Sequence, residues 1–202
     1  MSAPPLDLAA NMPPPPVSPL GLFTYEFAST GAAAGLRAVP ANSTIDPRIH
    51  PGSLVIITAV WMPDLLSSDA LFARDIDHVH AVIGDHFGTV GGVIVPGASP
   101  CSHCAVLWAK QRDPGWLEAW KAVHLSGPRA SQADPALVAI TAAHTASRLR
   151  ANRAGLPGAH GMLTVSDWGI EEEDVSFHPD CQCRQGSDAE SDAVMFSSSS
   201  PN

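Results

Sequence analysis

Four cysteines stand in two close pairs. Cys101 and Cys104 lie in PGASPCSHCAVLWAKQRDPGW, and Cys181 and Cys183 lie in HPDCQC. Brought together, two such pairs place four thiolates around one ion, the tetrahedral sulfur set that zinc takes at about 2.3 Å per bond. A closed set of four protein ligands leaves no position for substrate, so a zinc ion held there would staple the fold and not catalyse. His103 and His178 sit beside the pairs and could substitute as ligands, but each reads first as an ordinary exposed or satisfied histidine. Two other chemistries stay open. Four cysteines can form disulfides in three ways. A C-x2-C pair at a strand-to-helix turn can also be a redox couple, which would leave Cys181 and Cys183 unexplained.

The elements that must position these residues alternate between strand and helix. SLVIITAVW at 53–61 is a continuous apolar, β-branched run, as expected for a strand buried on both faces. SSDALFARD at 67–75 reads as a short crossover helix with serine caps. HVHAVIG at 78–84 is a second strand, and GTVGGVIVPG at 88–97 one or two more. A helix leaves the first cysteine loop over 105–110. Asp113-Pro114 opens another, with Trp116, Trp120 and Val123 on one face and Gly127-Pro128 as its stop. Asp134-Pro135 starts a long helix to about Arg153, with Gly155 as its C-cap and Val138, Ala142 and Leu149 on a shared face. GMLTVSDWG at 161–169 and DVSFH at 174–178 read as a closing pair of strands. The tryptophans are expected as core anchors. The fold class is α/β, a partial Rossmann-like sheet with helices and a four-cysteine subsite.

This organisation divides the chain into a proline-rich tail at 1–20, an ambiguous segment at 21–50, one α/β domain at 51–186 and a Ser-rich tail at 187–202. Within 21–50, LFTYEFAS could form a strand. Gly31 and Gly35 alone do not make the G-x-G-x-x-G turn that cradles phosphate. Arg37, Arg48 and Arg74 read as solvated surface residues.

Composition removes some classes of partner. The net charge is −9 and the lysines are Lys110 and Lys121 alone. Nucleic acid and anionic membranes both reward Lys and Arg, so neither is expected. No apolar run approaches the length of a membrane helix, and the first residues carry no basic, apolar signal-peptide pattern. A cytoplasmic location with reduced thiols follows.

PGSLVIITAVWMPDLL, HVHAVIGDHFGTVGGVIVPGASPCSHCAVLWAKQRDPGW and HPDCQC together resemble the ThiF/HesA/MoeB superfamily of ubiquitin-activating-like enzymes. They are more similar still to actinobacterial ThiF-like proteins related to the cyclodehydratase partners of azole-modified peptide pathways. The resemblance spans about 51–184. The cysteine and RDPGW elements are its more specific parts.

The resemblance implies a structural zinc on Cys101, Cys104, Cys181 and Cys183. It also implies either ATP-dependent adenylation of a carboxylate or a non-catalytic partner role, with a peptide, a YcaO-type enzyme or a second copy of the chain as partner. The glycine-rich turn, acidic ribose ligand and basic phosphate ligands of the family are not recognisable before residue 51. The sequence therefore leads to a zinc-stabilised, non-catalytic scaffold in ribosomal-peptide modification, with no catalytic residue assigned. An adenylyltransferase whose site is degenerate or completed by another subunit, dimerising through a sheet edge left open near residue 53, and a thiol redox protein stand as rivals.

Overall fold

The computed structural model describes residues 20–27, 36–41, 46–47, 49–126, 131–155 and 161–184. Residues 1–19 of the proline-rich segment, Gly31, Gly35, Arg48, the Gly127-Pro128 stop and the Ser-rich tail lie outside them.

The described strands form one seven-stranded sheet. They are β1 (Leu20–Phe27), β2 (Leu36–Ala41), β3 (Leu54–Val60), β4 (Asp77–Ile83), β5 (Phe87–Val90), β6 (Met162–Ser166) and β7 (Gly169–Glu173), in the order β2-β1-β3-β4-β5-β6-β7. Only β3 and β4 run parallel, joined by helix α1 (Leu65–Phe72) as their crossover. Every other neighbouring pair is antiparallel. The edge of β3 near residue 53, expected to be open to a second chain, is instead taken by β1, with Tyr25 opposite Leu54 and Leu20 opposite Ala59. A strand from the LFTYEFAS segment thus satisfies the backbone groups that an edge would leave unpaired.

Three further helices follow: α2 (Ser102–Arg112), α3 (Trp116–Leu125) and α4 (Pro135–Arg153). Their caps follow local side-chain chemistry. At α1 the cap is Asp64, which accepts from Ser67 N at 3.1 Å and Ser67 Oγ at 2.5 Å, so the serines are not the caps expected of them. A carboxylate accepts more strongly than a hydroxyl at this position. Asp134 caps α4 through Ala136 N at 2.7 Å, with Pro135 in the first turn. Asp113 does not cap α3. It accepts from Gly115 N at 2.8 Å and closes a turn that delays the helix to Trp116.

The sheet divides the core. On one face Leu54, Ile56, Val79, Val90, Leu163 and Val165 pack with Leu137 and Leu149 of α4. On the other, Val55 and Ile57 pack with Ile49, Leu71 and Ile76 around α1. The stripe that α4 buries is Leu137, Thr141, Thr145 and Leu149; Val138 and Ala142 sit at its margin. Thr141 and Thr145 enter the core because each hydroxyl donates to the carbonyl one turn back, at 2.8 Å. Arg74 is no solvated surface residue. It is partly buried, and its Nη2 donates to Ile49 O at 2.7 Å, tethering the segment before β3. At the chain's far end, residues 174–178 form no strand. The final hairpin is β6 and β7, turned at Asp167-Trp168, and every residue of β7 is exposed.

Candidate metal centre and the adjoining cleft

The two cysteine pairs meet at one end of α2. Cys101 is its N-cap residue and Cys104 lies in its first turn. Cys181 and Cys183 arrive on a 3-10 turn at Gln182–Arg184. All four sulfurs lie within 4.8 Å of one another. Cys101 and Cys181 are 3.6 Å apart, Cys104 and Cys183 3.6 Å, and Cys101 and Cys104 4.0 Å. Four sulfurs at about 2.3 Å from a tetrahedral ion would stand about 3.8 Å apart. The observed separations bracket that value and far exceed an S–S bond of about 2.05 Å. The residues therefore fit a metal ion, and four cysteines with this spacing could hold one.

Burial opposes ionisation of Cys101, Cys181 and Cys183. It pushes Cys101 well above its ordinary range and Cys183 up to about 11, with hydrogen bonds among the cysteines contributing to both. At Cys181 burial acts in the same sense but is outweighed by hydrogen bonds from the other cysteines, the Cys183 backbone first, and this thiol is pushed down. A bound divalent ion would favour the thiolates at all four positions.

Neither histidine beside the pairs joins the cluster. The His103 ring pairs with Asp69 at 2.9 Å on the surface. His178 is buried, but it supports the site indirectly. Its backbone N–H donates to Cys104 Sγ at 3.4 Å, and its carbonyl accepts from Cys181 N at 3.0 Å. Its ring meets Trp108 edge-on with centroids 4.6 Å apart, lies 2.8 Å from the Gln111 amide and accepts from Asp180 N at 3.1 Å. Cys101 and Cys104 also pack with Ile94, Phe72 and Phe177, so the sulfurs close a small core of their own.

Beside the cysteines a cleft of about 610 Å³ opens between the carboxyl end of β3, the α2 face of β4 and β5, and helix α2. Trp61, Trp108, Trp116 and Phe87 form much of its wall. The expectation that the tryptophans anchor the core is overturned. Helix α3, which carries Trp116 and Trp120, has no buried residue, and Trp168 is 95% exposed. Trp120 is partly buried and donates from Nε1 to Pro63 O at 2.8 Å. A tryptophan at helical spacing looks the same in sequence whether it faces a core or a cleft.

Among the described residues, two polar side chains in this region have no hydrogen-bond partner. His80 of β4 is 8% exposed, and neither ring nitrogen makes a hydrogen bond; Trp61 Nε1 is likewise buried and unpaired. Each such group costs about 1–3 kcal/mol when nothing answers it. Burial first, and the neighbouring His78 second, hold His80 down at about 3, so it is a neutral imidazole. His78 itself is satisfied, with Nε2 at 2.7 Å from Ser68 Oγ and Nδ1 at 2.8 Å from Ile76 O. His80 and Trp61 escape a sequence reading, because H-x-H in a strand shows only that the two rings share a face. The charged side chains of the lining are Arg112, paired with Glu173, and Asp113, Glu173 and Asp174.

The sheet order and the β3-α1-β4 crossover define a mixed α/β fold, with the cysteine cluster at the start of α2. No protein-family model and no curated protein sequence matches the chain. Among solved structures it is similar to E. coli MccB solved with MccA, at 15% identity and a TM-score of 0.50 over 73% of this chain and 44% of that one. A heterocyclase solved with substrate and cofactor matches at 14% identity and a TM-score of 0.45, over 62% of this chain and 20% of that one. The chain thus spans less than half the length of either. Among the described residues, no helix is long and apolar enough to cross a membrane.

Proposed function

We propose that the chain is a zinc-stabilised, ThiF-like partner or scaffold protein in ribosomal-peptide modification, working in the reducing cytoplasm. The convergence of four cysteine sulfurs within 4.8 Å carries the zinc assignment. All four positions of a tetrahedral ion would be filled by protein, so the metal would hold α2 to the Gln182–Arg184 turn and take no part in chemistry. The charges of the cleft support a role without adenylation. A triphosphate there would meet Asp113, Glu173 and Asp174 against Arg112 alone, and Arg112 is already paired. The likeness to MccB, solved with MccA, supports a protein or peptide partner, a YcaO-type enzyme among those to be tried.

Metal analysis of the purified chain by plasma mass spectrometry, combined with a pyrophosphate-exchange assay on peptide acids, tests the reading. One zinc per chain without ATP-dependent exchange is the expected result. Robust exchange would establish the adenylyltransferase instead. A metal-free chain with reversibly oxidised Cys101–Cys104 would establish the redox protein.

A further inference from the structure

We propose that the aromatic cleft between β3 and α2 is a docking groove for this chain's own proline-rich segment, MPPPPVSP at 12–19, so that the cleft is covered from within the same molecule. Such a cover is independent of whether the chain acts as a scaffold.

The sheet delivers the segment to the groove. Strand β1 begins at Leu20, which lies opposite Ala59 in the antiparallel ladder with β3. The chain therefore enters the sheet at the carboxyl end of β3, where Trp61, Met62, Pro63 and Leu65 form one wall of the cleft. Trp61 is fixed there by its backbone N–H, which donates to Ile83 O at 2.9 Å. The far side of the floor is β5, whose Phe87 and Thr89 line the cleft. From β1 to β5 is three strand spacings, about 14 Å at about 4.8 Å each. Eight residues in polyproline geometry reach about 25 Å, enough to cross the groove.

The chemistry of the wall suits this occupant. Trp61, Phe87, Trp108 and Trp116 line the cleft, and each is partly exposed. Trp108 is held in place by donating from Nε1 to Ser176 O at 3.0 Å. Aromatic-lined grooves take proline-rich segments, whose preformed geometry leaves little entropy to lose on docking. Proline also has no N–H. Pro13, Pro14, Pro15, Pro16 and Pro19 thus bring no backbone donor into apolar walls that would leave it unanswered. MPPPPVSP carries no charged side chain, so Asp113, Glu173 and Asp174 of the lining do not repel it. A second copy as donor would bring together two chains of net charge −9 for a contact that one chain can make alone. A short tether holds its segment at a millimolar effective concentration, so an intrinsic Kd of about 0.1 mM keeps the groove about 90% filled.

The test is fluorescence-anisotropy titration of a labelled, capped MPPPPVSP peptide with two forms of the full chain. One is the parent. The other carries Pro13→Ser, Pro14→Ser, Pro15→Ser and Pro16→Ser, which leave every described residue unchanged. The fourfold variant should bind the peptide at least about tenfold tighter than the parent, because its groove is no longer covered. Adding Trp116→Ala to that variant should abolish binding while the circular dichroism stays that of the parent; α3, which carries Trp116, has no buried residue. Should that chain not fold, Val106→Glu serves, since it puts a charge into the wall. Equal affinities in parent and fourfold variant would show a cleft left open to a foreign segment. Absence of binding in both would show a groove that takes no proline. Either result overturns the proposal, as does binding that survives the cleft substitution. Light scattering that finds a two-copy parent reverting to single copies in the fourfold variant would assign the segment to a neighbouring molecule and overturn it too.

Discussion

The backbone N–H of His178 donates to the sulfur of Cys104 at 3.4 Å, across 74 positions of sequence. This bond couples the two cysteine pairs through a residue that is not itself a ligand. The His178 ring, wedged against Trp108 and Gln111, fixes the loop from which Cys181 and Cys183 project. Groups that orient ligands in this way typically contribute 10–100-fold to metal affinity. His178→Ala keeps the backbone N–H but removes the wedge. It should weaken metal binding by about tenfold or more, as read by competition with a chromogenic chelator, while the metal stoichiometry at saturation stays unchanged.

Removing the metal, or one ligand, should act on folding and not on a reaction. Helix α2 and the Gln182–Arg184 turn meet chiefly through the sulfurs and the small core of Ile94, Phe72 and Phe177 around them. Binding energy at such a site is folding energy. Cys101→Ser should lower stability by several kcal/mol, and chelation should bring the parent chain down toward the same melting temperature. A Cys101→Ser melt indistinguishable from that of the metal-loaded parent would show that no ion is held there.

Packing between β5 and α4 gives a test of the fold independent of any ligand. A Cβ on Gly88 would fall 1.9 Å from Thr141 Oγ1 and 3.0 Å from Thr141 Cβ. Gly88→Ala should therefore destabilise by about 1–3 kcal/mol, the usual cost of overpacking. The same change in a Thr141→Ala background should cost measurably less, because residues in contact are not additive. Denaturant melts of the four chains give the coupling directly.

These particulars mark what the sequence discloses. The metal-site reading needed only two close cysteine pairs, because sulfur chemistry constrains partners strongly. The β3-α1-β4 unit was legible because β-branched runs flank a short helical stretch. The cleft was not. Trp61, Trp108 and Trp116 carry no periodicity that separates a core face from an open wall, and the orphaned state of His80 exists only once β4, β5 and α2 enclose it. Strand β7 was missed because GIEEE is acidic and wholly exposed, so no apolar alternation betrays it; pairing with β6 defines it instead. The burial of Thr141 and Thr145 was hidden for a related reason: their hydroxyls are answered inside α4 itself.

The buried neutral state of His80 predicts a pH dependence with a definite sign. Burial and His78 lower its proton affinity, and Asp64, at the start of α1, opposes them weakly. In the unfolded chain the ring titrates near its ordinary 6.5; in the fold it does so at about 3. Below pH 6.5 the unfolded chain takes up a proton that the folded chain refuses. Stability tied to this residue is therefore fully present above 6.5 and falls as pH drops toward 3, with a slope approaching about 1.4 kcal/mol per pH unit. His80→Phe abolishes that contribution. Urea melts of the parent and variant across this range should diverge, the parent losing stability more steeply with acid. Parallel pH profiles would mean that His80 is not held neutral in the fold.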